Sequence, residues 1–551
     1  MSGPPELLVV GRIATLAGDR GPGWVEALAV RAGRVVAAGS VGDVEALAGR
    51  ATRRLQLAPD EAAIPGLTDA HLHLASAALA RQAVDLAGVG TVEDLIEQVR
   101  AFAARHPDPG AWIEGGGWDA DALGRWPTAD DLERAAPGRR ATLWAHDHHA
   151  LLASARAIAE AEIDDARGDP AGGVIRRDAL GRATGVLHET AAQLVAARVP
   201  PPDERFLARA IDALAQELVG LGIVAVHDPG GLAPAGGLGG PIAAYRALAA
   251  DGRLPLRVHA SVRAEQLDAA ISEGLRSGNP LGPDPLGRLR LGWLKTFADG
   301  SLGSRTAALL EPLDPLPGEP PPPNGGYGVW LAPPDALREQ ARGAAASGIA
   351  MQIHGIGDAA VRAALDALAG TVGATALMPR VEHAQLVALE DIPRFAALGI
   401  AASMQPVHVR SDAAKARRLW GARAEARGYA LAAIARTGAV VAAGTDAPVE
   451  PVDPWPGVAC AVTRAAPEWA PGTPAFGPRN ALDLWASLRA WCVGPAVTAG
   501  ESGRGRLTVG QLADLVVLPA SALAEPVETD GALWHARPRL VLVDGRAVAG
   551  R

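Results

Sequence analysis

Short apolar segments alternate with Ala- and Leu-rich stretches along most of the chain, and this alternation limits the folds available to it. Each segment is followed by polar or glycine-containing residues, and most are separated by helix-forming stretches such as PDALREQARGAAASG. The eight segments are AAIPGLTDAHLHL, IVAVHDP, LPLRVHASV, LGWLKTFADGS, IAMQIHGIG, RVEHAQL, GIAASMQP and AVVAAGTDAP. Eight βα repeats predict an α/β fold, a (β/α)8 TIM-like barrel. A doubly wound open sheet is the alternative, but no G-x-G-x-x-G fingerprint follows an early strand.

Both ends of the chain have a different pattern, with short alternating segments and frequent turns. The segments are LLVVGRIATL and VEALAVRAGRVVAAGS near the N-terminus, and ADLVVLPA and LVLVDGRAVAG near the C-terminus. They predict antiparallel strands. Because chain termini often lie close together, we expect one small composite β-sandwich built from residues 1–62 and 500–551. Residues 63–499 are then left for the barrel.

The spacing between the first two barrel strands is too long for a simple crossover. The first strand ends near His73 and the second begins near Ile223, so residues from about 91 to 202 are predicted to form an inserted subdomain. Two loops, GGLAPAGGLGG around Gly236 and PLDPLPGEPPPPNGGYG around Pro320, are low in complexity. The second loop follows the fourth strand, where it is either a wall of a substrate pocket or a stiff surface connection.

Composition excludes several classes of protein. Hydrophobic residues make up 49% of the 551 residues, enough for a large core, and the net charge of −9 argues against nucleic acid as a partner. Cys460 and Cys492 form no C-x-x-C pair and are expected to be reduced core thiols. The residues MSGPPELLVVGR lack a basic stretch followed by a long apolar one, and no run of 18 or more apolar residues occurs, so we expect neither a signal peptide nor a membrane span. We therefore expect a cytoplasmic protein with a small-molecule substrate and no membrane partner, and leave homo-oligomerisation open.

Side chains that bind metals stand at the ends of several predicted strands. His71 and His73 form an H-L-H pair, and residues i and i+2 of a strand point to the same face. His354 and His383 each end a later strand, and Asp446 ends the eighth. Taken singly, each later histidine is more often structural, and a lone aspartate could cap the next helix. Because all strand C-termini of a barrel meet at one mouth, the whole set predicts a metal centre.

Lys295 places an ammonium group in the otherwise apolar segment LRLGWLKTFADGS. Lysines are rarely buried without a partner. Lys295 therefore reaches solvent, pairs with an acid such as Asp299, or is carbamylated by carbon dioxide and bridges two metal ions. In the last case the set supplies enough nitrogen and oxygen ligands for two zinc-like ions, which can hold a hydroxide between them at neutral pH.

The order H-x-H, Lys, His, His, Asp resembles the amidohydrolase superfamily. More narrowly, the chain is similar to the amidohydrolase family 3 branch, which includes N-substituted formamide deformylase. The motifs that carry this resemblance are PGLTDAHLH, GGGWDADALGRWP, KTFADGSLGSRTA, QIHGIGDAAV, VEHAQ, MQP and GTDAPVEPVDP, and they extend over nearly the whole chain. The resemblance implies one or two divalent metals, with zinc expected, and Lys295 carboxylated in two-metal members. The implied ligands are His71, His73, Lys295, His354, His383 and Asp446.

The activity that the resemblance implies is hydrolysis of a C–N bond outside peptides, in an amide, formamide or related group, by a metal-activated hydroxide. Asp446 would take the proton of the hydroxide and deliver it to the leaving nitrogen. No G-x-S-x-G elbow occurs, which argues against a serine hydrolase. The alternatives are a one-metal deaminase or isomerase on the same barrel, and a non-catalytic binding protein that retains the fold.

Three further residues are candidates for contact with the substrate. Where related sequences carry Asp-Gly-His, this chain has Asp147-His148-His149, and His149 aligns with the family's histidine. Trp118 in GGGWDAD could form an aromatic wall, and His227, at the end of the second strand, could line the mouth or hydrogen-bond to a ligand. The other histidines are expected to be structural: His106, His146, His188, His259, His408 and His535.

Overall fold

Eight parallel strands form the predicted barrel in the computed structural model, which describes residues 3–231, 237–315 and 322–550. Strands that are consecutive around the barrel pair in parallel, and the Ala70 N–H donates to the Ala443 carbonyl oxygen (3.0 Å), which brings the first strand against the eighth. The strands are Leu67–Asp69, Ile223–Asp228, Arg257–Arg263, Leu289–Phe297, Met351–Gly355, Arg380–His383, Ala401–Met404 and Val441–Ala443. The predicted fold class is confirmed. The centres of both low-complexity loops, around Gly236 and Pro320, lie outside the described residues, and so does the suggested pocket wall.

Amphipathic helices cover the outside of the barrel. The helix Glu204–Gly220 begins at the N-cap Asp203, and its buried residues Leu207, Ile211 and Leu218 recur at helical spacing. The other helices of this layer are Leu74–Ala80, Gly239–Ala250, Leu267–Ser272, Pro334–Ala346, Asp358–Leu368, Ile392–Leu398, His408–Trp420, Ala422–Arg427, Leu431–Arg436, Pro454–Thr463 and Leu484–Thr498. Within the three described ranges, no helix is long and apolar enough to cross a membrane.

A second sheet contains strands from both ends of the chain. The two ends meet where Glu61–Pro65 pairs antiparallel with Leu515–Pro519. The first predicted barrel segment is therefore divided at Gly66 between the two sheets. A Cβ atom at Gly66 would lie 2.6 Å from the side chain of Val224, so the absence of a side chain lets the second barrel strand approach. The remaining strands of this sheet are Leu7–Ala14, Trp24–Arg31, Arg34–Gly39, Arg53–Gln56, Leu540–Val543 and Arg546–Gly550, with one short helix, Val41–Glu45.

A third sheet of six strands is built from the long connection between the first two barrel strands. Two ion pairs attach this insertion to the barrel helix His408–Trp420, from Asp119 to Lys415 (2.9 Å) and from Asp121 to Arg418 (2.6 Å). The insertion consists of the strands Val84–Asp85, Ile113–Trp118, Ala141–Ala145, Ala150–Ala153, Gly173–Arg177 and Ala183–Glu189 and the helices Val92–Arg105, Ala129–Ala135, Ala155–Glu160 and Thr190–Ala196. It therefore covers part of the barrel mouth.

Candidate metal centre

Asp69 holds together the ends of the first and eighth barrel strands. Its carboxylate accepts hydrogen bonds from the His71 N–H (3.1 Å) and from the Thr445 hydroxyl (2.7 Å). The Asp446 N–H in turn donates to the His71 carbonyl oxygen (2.7 Å). Asp446 and His383 both have a positive φ, 62° and 69°, a sparsely populated conformation that is found most often at functional sites. The backbone thus places His71 and Asp446 side by side.

Four imidazoles surround the Asp446 carboxylate. Oδ1 lies 3.4 Å from His71 Nε2 and 3.5 Å from His73 Nε2, and Oδ2 lies 3.6 Å from His408 Nε2. His383 Nδ1 is 3.7 Å from Oδ2, but it donates to Gln405 Oε1 (2.8 Å), so Nε2 is the nitrogen of His383 that is left for a metal. Hydrogen bonds between such atoms would be about 2.7–3.2 Å long. Two ligands at about 2.1 Å from one tetrahedral zinc ion stand about 3.4 Å apart. The spacing therefore fits cation ligands, in two groups of three that share Asp446.

The His71 ring is fixed by a buried carboxylate. Glu382 Oε2 lies 2.5 Å from His71 Nδ1, and its other oxygen lies 2.6 Å from Arg380 Nε. With Nδ1–H donated to Glu382, Nε2 carries the lone pair, and no described residue forms a hydrogen bond with this buried atom. Burial lowers the pKa of His71 to about 4, so the ring is neutral and able to bind a metal at neutral pH.

Lys295 is buried, and within the described part of the chain its Nζ atom has no hydrogen-bond partner. The pairing with Asp299 that the sequence left open is absent. The Asp299 carboxylate instead accepts from the N–H groups of Ala308, Ile356 and Gly357, at 2.8–3.0 Å. Burial lowers the pKa of Lys295 to about 7, so a large fraction of the amine is neutral at neutral pH.

His354 lies next to the four imidazoles at the end of the fifth strand. Its ring centroid is 4.6 Å from that of His383. Its Nε2 atom is 3.0 Å from the Gly300 carbonyl oxygen, which can accept only from an N–H group. Nδ1 is therefore the atom left for a metal, and burial lowers the pKa of the ring well below its usual value.

The sequence profile of the amidohydrolase family matches residues 58–549. This chain belongs to the amidohydrolase family. YtcJ of Bacillus subtilis (strain 168), which is named as an amidohydrolase, is 30% identical over 474 residues, covering 86% of this chain and 85% of its own. N-substituted formamide deformylase of Arthrobacter pascens is 26% identical over 508 residues, 90% of each chain. An uncharacterised metal-dependent hydrolase from Pyrococcus horikoshii superposes with a TM-score of 0.71 at 26% identity, covering 93% of this chain and 97% of that one.

His408 is the member of the amidohydrolase centre to which sequence reasoning gave only a structural role. It is the first residue of the helix that follows the seventh strand, four positions beyond the strand end at Met404. Its ring stacks at 12° to that of His383, with centroids 6.3 Å apart. The available signal was a histidine shortly after the seventh strand, in MQPVH.

The three candidates for substrate contact have different surroundings in the structure. His149 lies at the centre, with its ring centroid 5.2 Å from that of His354 and its Nδ1 2.8 Å from Glu189. His227 is fully buried, and its Nδ1 is 3.1 Å from a guanidinium nitrogen of Arg380, so it has no exposed surface at the mouth. Trp118 donates from Nε1 to the Leu143 carbonyl oxygen (2.8 Å) and is almost fully buried.

A cavity of about 570 Å³ lies between the insertion and the barrel of this amidohydrolase. Trp118, Trp126, His146, Asp147 and Ser304 are among the residues that line it. Asp147 precedes the His148-His149 pair, so the cavity adjoins the centre. Its lining is part aromatic and part charged, which suits a substrate with both apolar and polar groups.

Proposed function

We propose that this chain is a divalent-metal-dependent hydrolase that cleaves a C–N bond outside peptides, in an amide, formamide or related group. The observation that carries the proposal is the spacing of three imidazole nitrogens, Nε2 of His71, His73 and His408, which lie 3.4–3.6 Å from the Asp446 carboxylate. Family membership and the similarity to a formamide deformylase support the same class of bond.

The residues present fit a metal. His71 Nε2 and Lys295 Nζ are buried without partners in residues 3–231, 237–315 and 322–550, a costly arrangement unless a bound group satisfies them. His71, His73 and Asp446 would hold one ion, and His354, His383 and a carboxylated Lys295 would supply further ligands. A mixed nitrogen and oxygen set suits zinc. When bound, such an ion acts as a Lewis acid toward a carbonyl oxygen and makes water nucleophilic at neutral pH.

Asp446 would move the proton. Burial alone would raise its pKa, but the neighbouring imidazoles of His71, His73, His383 and His408 lower it well below the usual value. The carboxylate is therefore ionised at neutral pH and can accept a proton from water and pass it to the leaving nitrogen.

His149 is placed to orient the substrate. Its ring is held by Glu189, whose other carboxylate oxygen accepts from the Thr306 hydroxyl (2.6 Å). A ring fixed in this way at the edge of the centre would meet the substrate in one orientation, which is the requirement for positioning. The adjoining cavity would receive the part of the substrate that does not react.

The test is a screen of metal-replete protein against N-formyl, N-acyl, carbamate and lactone compounds, with amine and acid products detected directly. We expect amine release from an N-formyl or N-acyl compound, and loss of that release after chelation. Asp446→Asn is the control for contaminating activity. Turnover of the lactones alone, or of a deaminase substrate with ammonia release, would contradict C–N cleavage of amides.

A further inference from the structure

We propose that a cavity at the base of the barrel, at the end opposite the metal centre, binds the phosphate group of a small molecule. This base cavity has a volume of about 310 Å³ and lies where the barrel meets the sheet built from both ends of the chain. Its lining includes Arg34, Arg257, Arg290, Glu501, Arg504 and Asp544. The inference does not depend on the reaction proposed at the mouth.

The first observation is an excess of positive charge around the base cavity, although the whole chain carries a net charge of −9. Four arginines and two acids line the cavity. Their ion-pair partners outside the lining are Asp514, which binds Arg257, and Arg288, which binds Asp544. Five guanidinium groups therefore face three carboxylates, and the excess of two positive charges matches a phosphate dianion.

Two of these arginines are held by backbone carbonyl groups. Arg34 Nη1 donates to the Gly510 carbonyl oxygen (2.9 Å), and Arg290 Nη1 donates to the Gly278 carbonyl oxygen (2.8 Å). Among the described residues neither guanidinium forms an ion pair, in contrast to that of Arg504. A carbonyl oxygen fixes a guanidinium without neutralising it, so both side chains keep their charge and further N–H donors for a ligand.

The second observation is a buried donor without an acceptor. Arg504 is only 5% exposed. Its Nη2 atom donates to the Thr68 hydroxyl (3.3 Å), and its Nε atom lies 2.7 Å from Glu501 Oε2 without the alignment of a hydrogen bond. Its Nη1 atom is buried and has no hydrogen-bond partner in the part of the chain that the structure describes. Such an atom is costly, and an oxygen of a bound anion would satisfy it.

The Glu501 carboxylate reports how strongly these arginines attract negative charge. Burial alone would raise the pKa of Glu501, but the neighbouring guanidinium groups, with Arg504 first among them, hold it below its usual value. The Glu501 side chain is 18% exposed, so the groups around it are within reach of a ligand from solvent. One carboxylate offsets only part of the charge, which leaves a second anion attracted to the same place.

A phosphate group suits this site better than a carboxylate does. A phosphate monoester carries about −1.5 to −2 charges at pH 7 and has three acceptor oxygens, whereas a carboxylate has one charge and two oxygens. Guanidinium groups bind such oxygens with strong, charge-assisted hydrogen bonds. The exposed side chain of Leu286 also lines the cavity, so the rest of the molecule would lie beside it and extend toward solvent.

The experiment is a calorimetric titration of the full chain with inorganic phosphate, phenyl phosphate and benzoate at constant ionic strength. We expect one equivalent of either phosphate to bind and to raise the melting temperature. Benzoate, which has the same ring as phenyl phosphate, should bind at least about tenfold more weakly because it has less charge. The titrations are repeated after chelation, because phosphate bound to a metal at the mouth would be lost with the metal and phosphate in the base cavity would not.

Arg504→Gln should weaken phosphate binding by about 10–100-fold, the factor for one hydrogen bond to a charged group. If that variant melts at a markedly lower temperature, the half-buried Arg290→Gln replaces it. Arg34→Gln should weaken binding by about two- to fivefold, as expected for an exposed charge. Arg436→Gln is its matched control, since Arg436 is also exposed and donates to a carbonyl oxygen, that of Arg479, but lies outside the lining.

Glu501→Gln separates a binding site from a purely structural cluster. It removes the negative charge beside the ligand and leaves the arginines in place, so phosphate should bind about two- to fivefold more tightly. If the arginines only join the barrel to the second sheet, no variant would tighten binding.

An absence of phosphate binding after chelation would overturn the inference, and so would equal affinity in the wild type, Arg504→Gln and Arg290→Gln. Benzoate bound as tightly as phenyl phosphate would reject phosphate as the ligand group. A wild type that binds phosphate at the base but cleaves no C–N bond would uphold this inference and reject the proposed hydrolase. Cleavage of amides without phosphate binding would do the reverse.

Discussion

The two ends of the barrel differ in how their buried polar atoms are hydrogen-bonded. At the base, Arg257 donates to Asp514 (2.7 Å) and to Asp544, and Asp544 also accepts from Arg288 (3.0 Å). At the mouth, His71 Nε2, His408 Nε2 and Lys295 Nζ have no hydrogen-bond partner among the described residues. A buried polar atom left unpaired costs about 1–3 kcal/mol. At the base both guanidinium groups bind carboxylates of the protein, although Arg288 Nε lacks a partner among the described residues, whereas the Lys295 ammonium at the mouth makes no hydrogen bond to them at all.

The largest expected effect on turnover comes from removing a histidine at the mouth of the barrel. His71→Ala removes one of the proposed metal ligands, so the protein should lose at least one equivalent of bound metal and all measurable turnover. Metal analysis and an activity assay on the same preparation check this, and chelation of the wild type should reproduce it. Full activity in thoroughly metal-free protein would contradict the distinction between mouth and base.

Asp446→Asn should lower turnover by about 10²–10⁴-fold, since asparagine keeps the shape and one ligating oxygen but loses the proton acceptor. The loss should appear mainly in kcat, because proton transfer belongs to the transition state. If Asp446 only capped a helix, the variant would lose about 0.5–2 kcal/mol of stability and stay active. Melting temperature and kcat from one preparation separate the two outcomes.

Lys295→Ala should have a smaller effect that depends on the chemistry of the lysine. If Lys295 is a carboxylated ligand, the variant should lose about 10–100-fold in affinity at one metal position, and acetate should restore part of it. Lys295→Arg should not restore binding, because the guanidinium is always cationic. An alanine variant with normal zinc binding would show that Lys295 is not a ligand.

The smallest effect on turnover is expected at the base. Arg257→Met leaves Asp514 and part of Asp544 without a cation, which should destabilise the fold by about 3–5 kcal/mol. Turnover per folded molecule should change less than twofold, as estimated from the distance of this network from the mouth and the additivity of distant sites. Denaturant unfolding measures the first quantity, and a zinc-normalised assay measures the second. A large loss of kcat here would show that base and mouth are coupled.

The barrel could be predicted from the sequence because each strand is a short apolar run before a polar turn, and all eight such runs became barrel strands. The division of the first run at Gly66 could not be predicted. It depends on Val224, a residue far away in the sequence that occupies the space beside the glycine.

Searching for metal-binding side chains at the ends of predicted strands indicated most of the residues around Asp446 but not all of them. It found His71, His73, His383 and Asp446, which the structure brings together around one carboxylate. It missed His408, because this residue begins a helix and reaches Asp446 only through the curvature of the mouth. The suggested ion pair between Lys295 and Asp299 is not formed, because the Asp299 carboxylate accepts hydrogen bonds from backbone N–H groups instead. No local sequence pattern identifies those donors.

The hydrogen bonds by which Asp69 joins the first and eighth barrel strands bear on when the site forms during synthesis. The hydrogen bond of Asp69 to Thr445 joins residues 376 positions apart. Contacts of such long sequence separation form late, because the entropy of closing the intervening chain must first be overcome. His71 and His73 therefore leave the ribosome long before Asp446, and the nascent chain cannot offer a complete site to any ion. The group formed by His71, His73 and Asp446 is therefore complete only after the last strand has closed the barrel, so it cannot serve as a nucleus for folding.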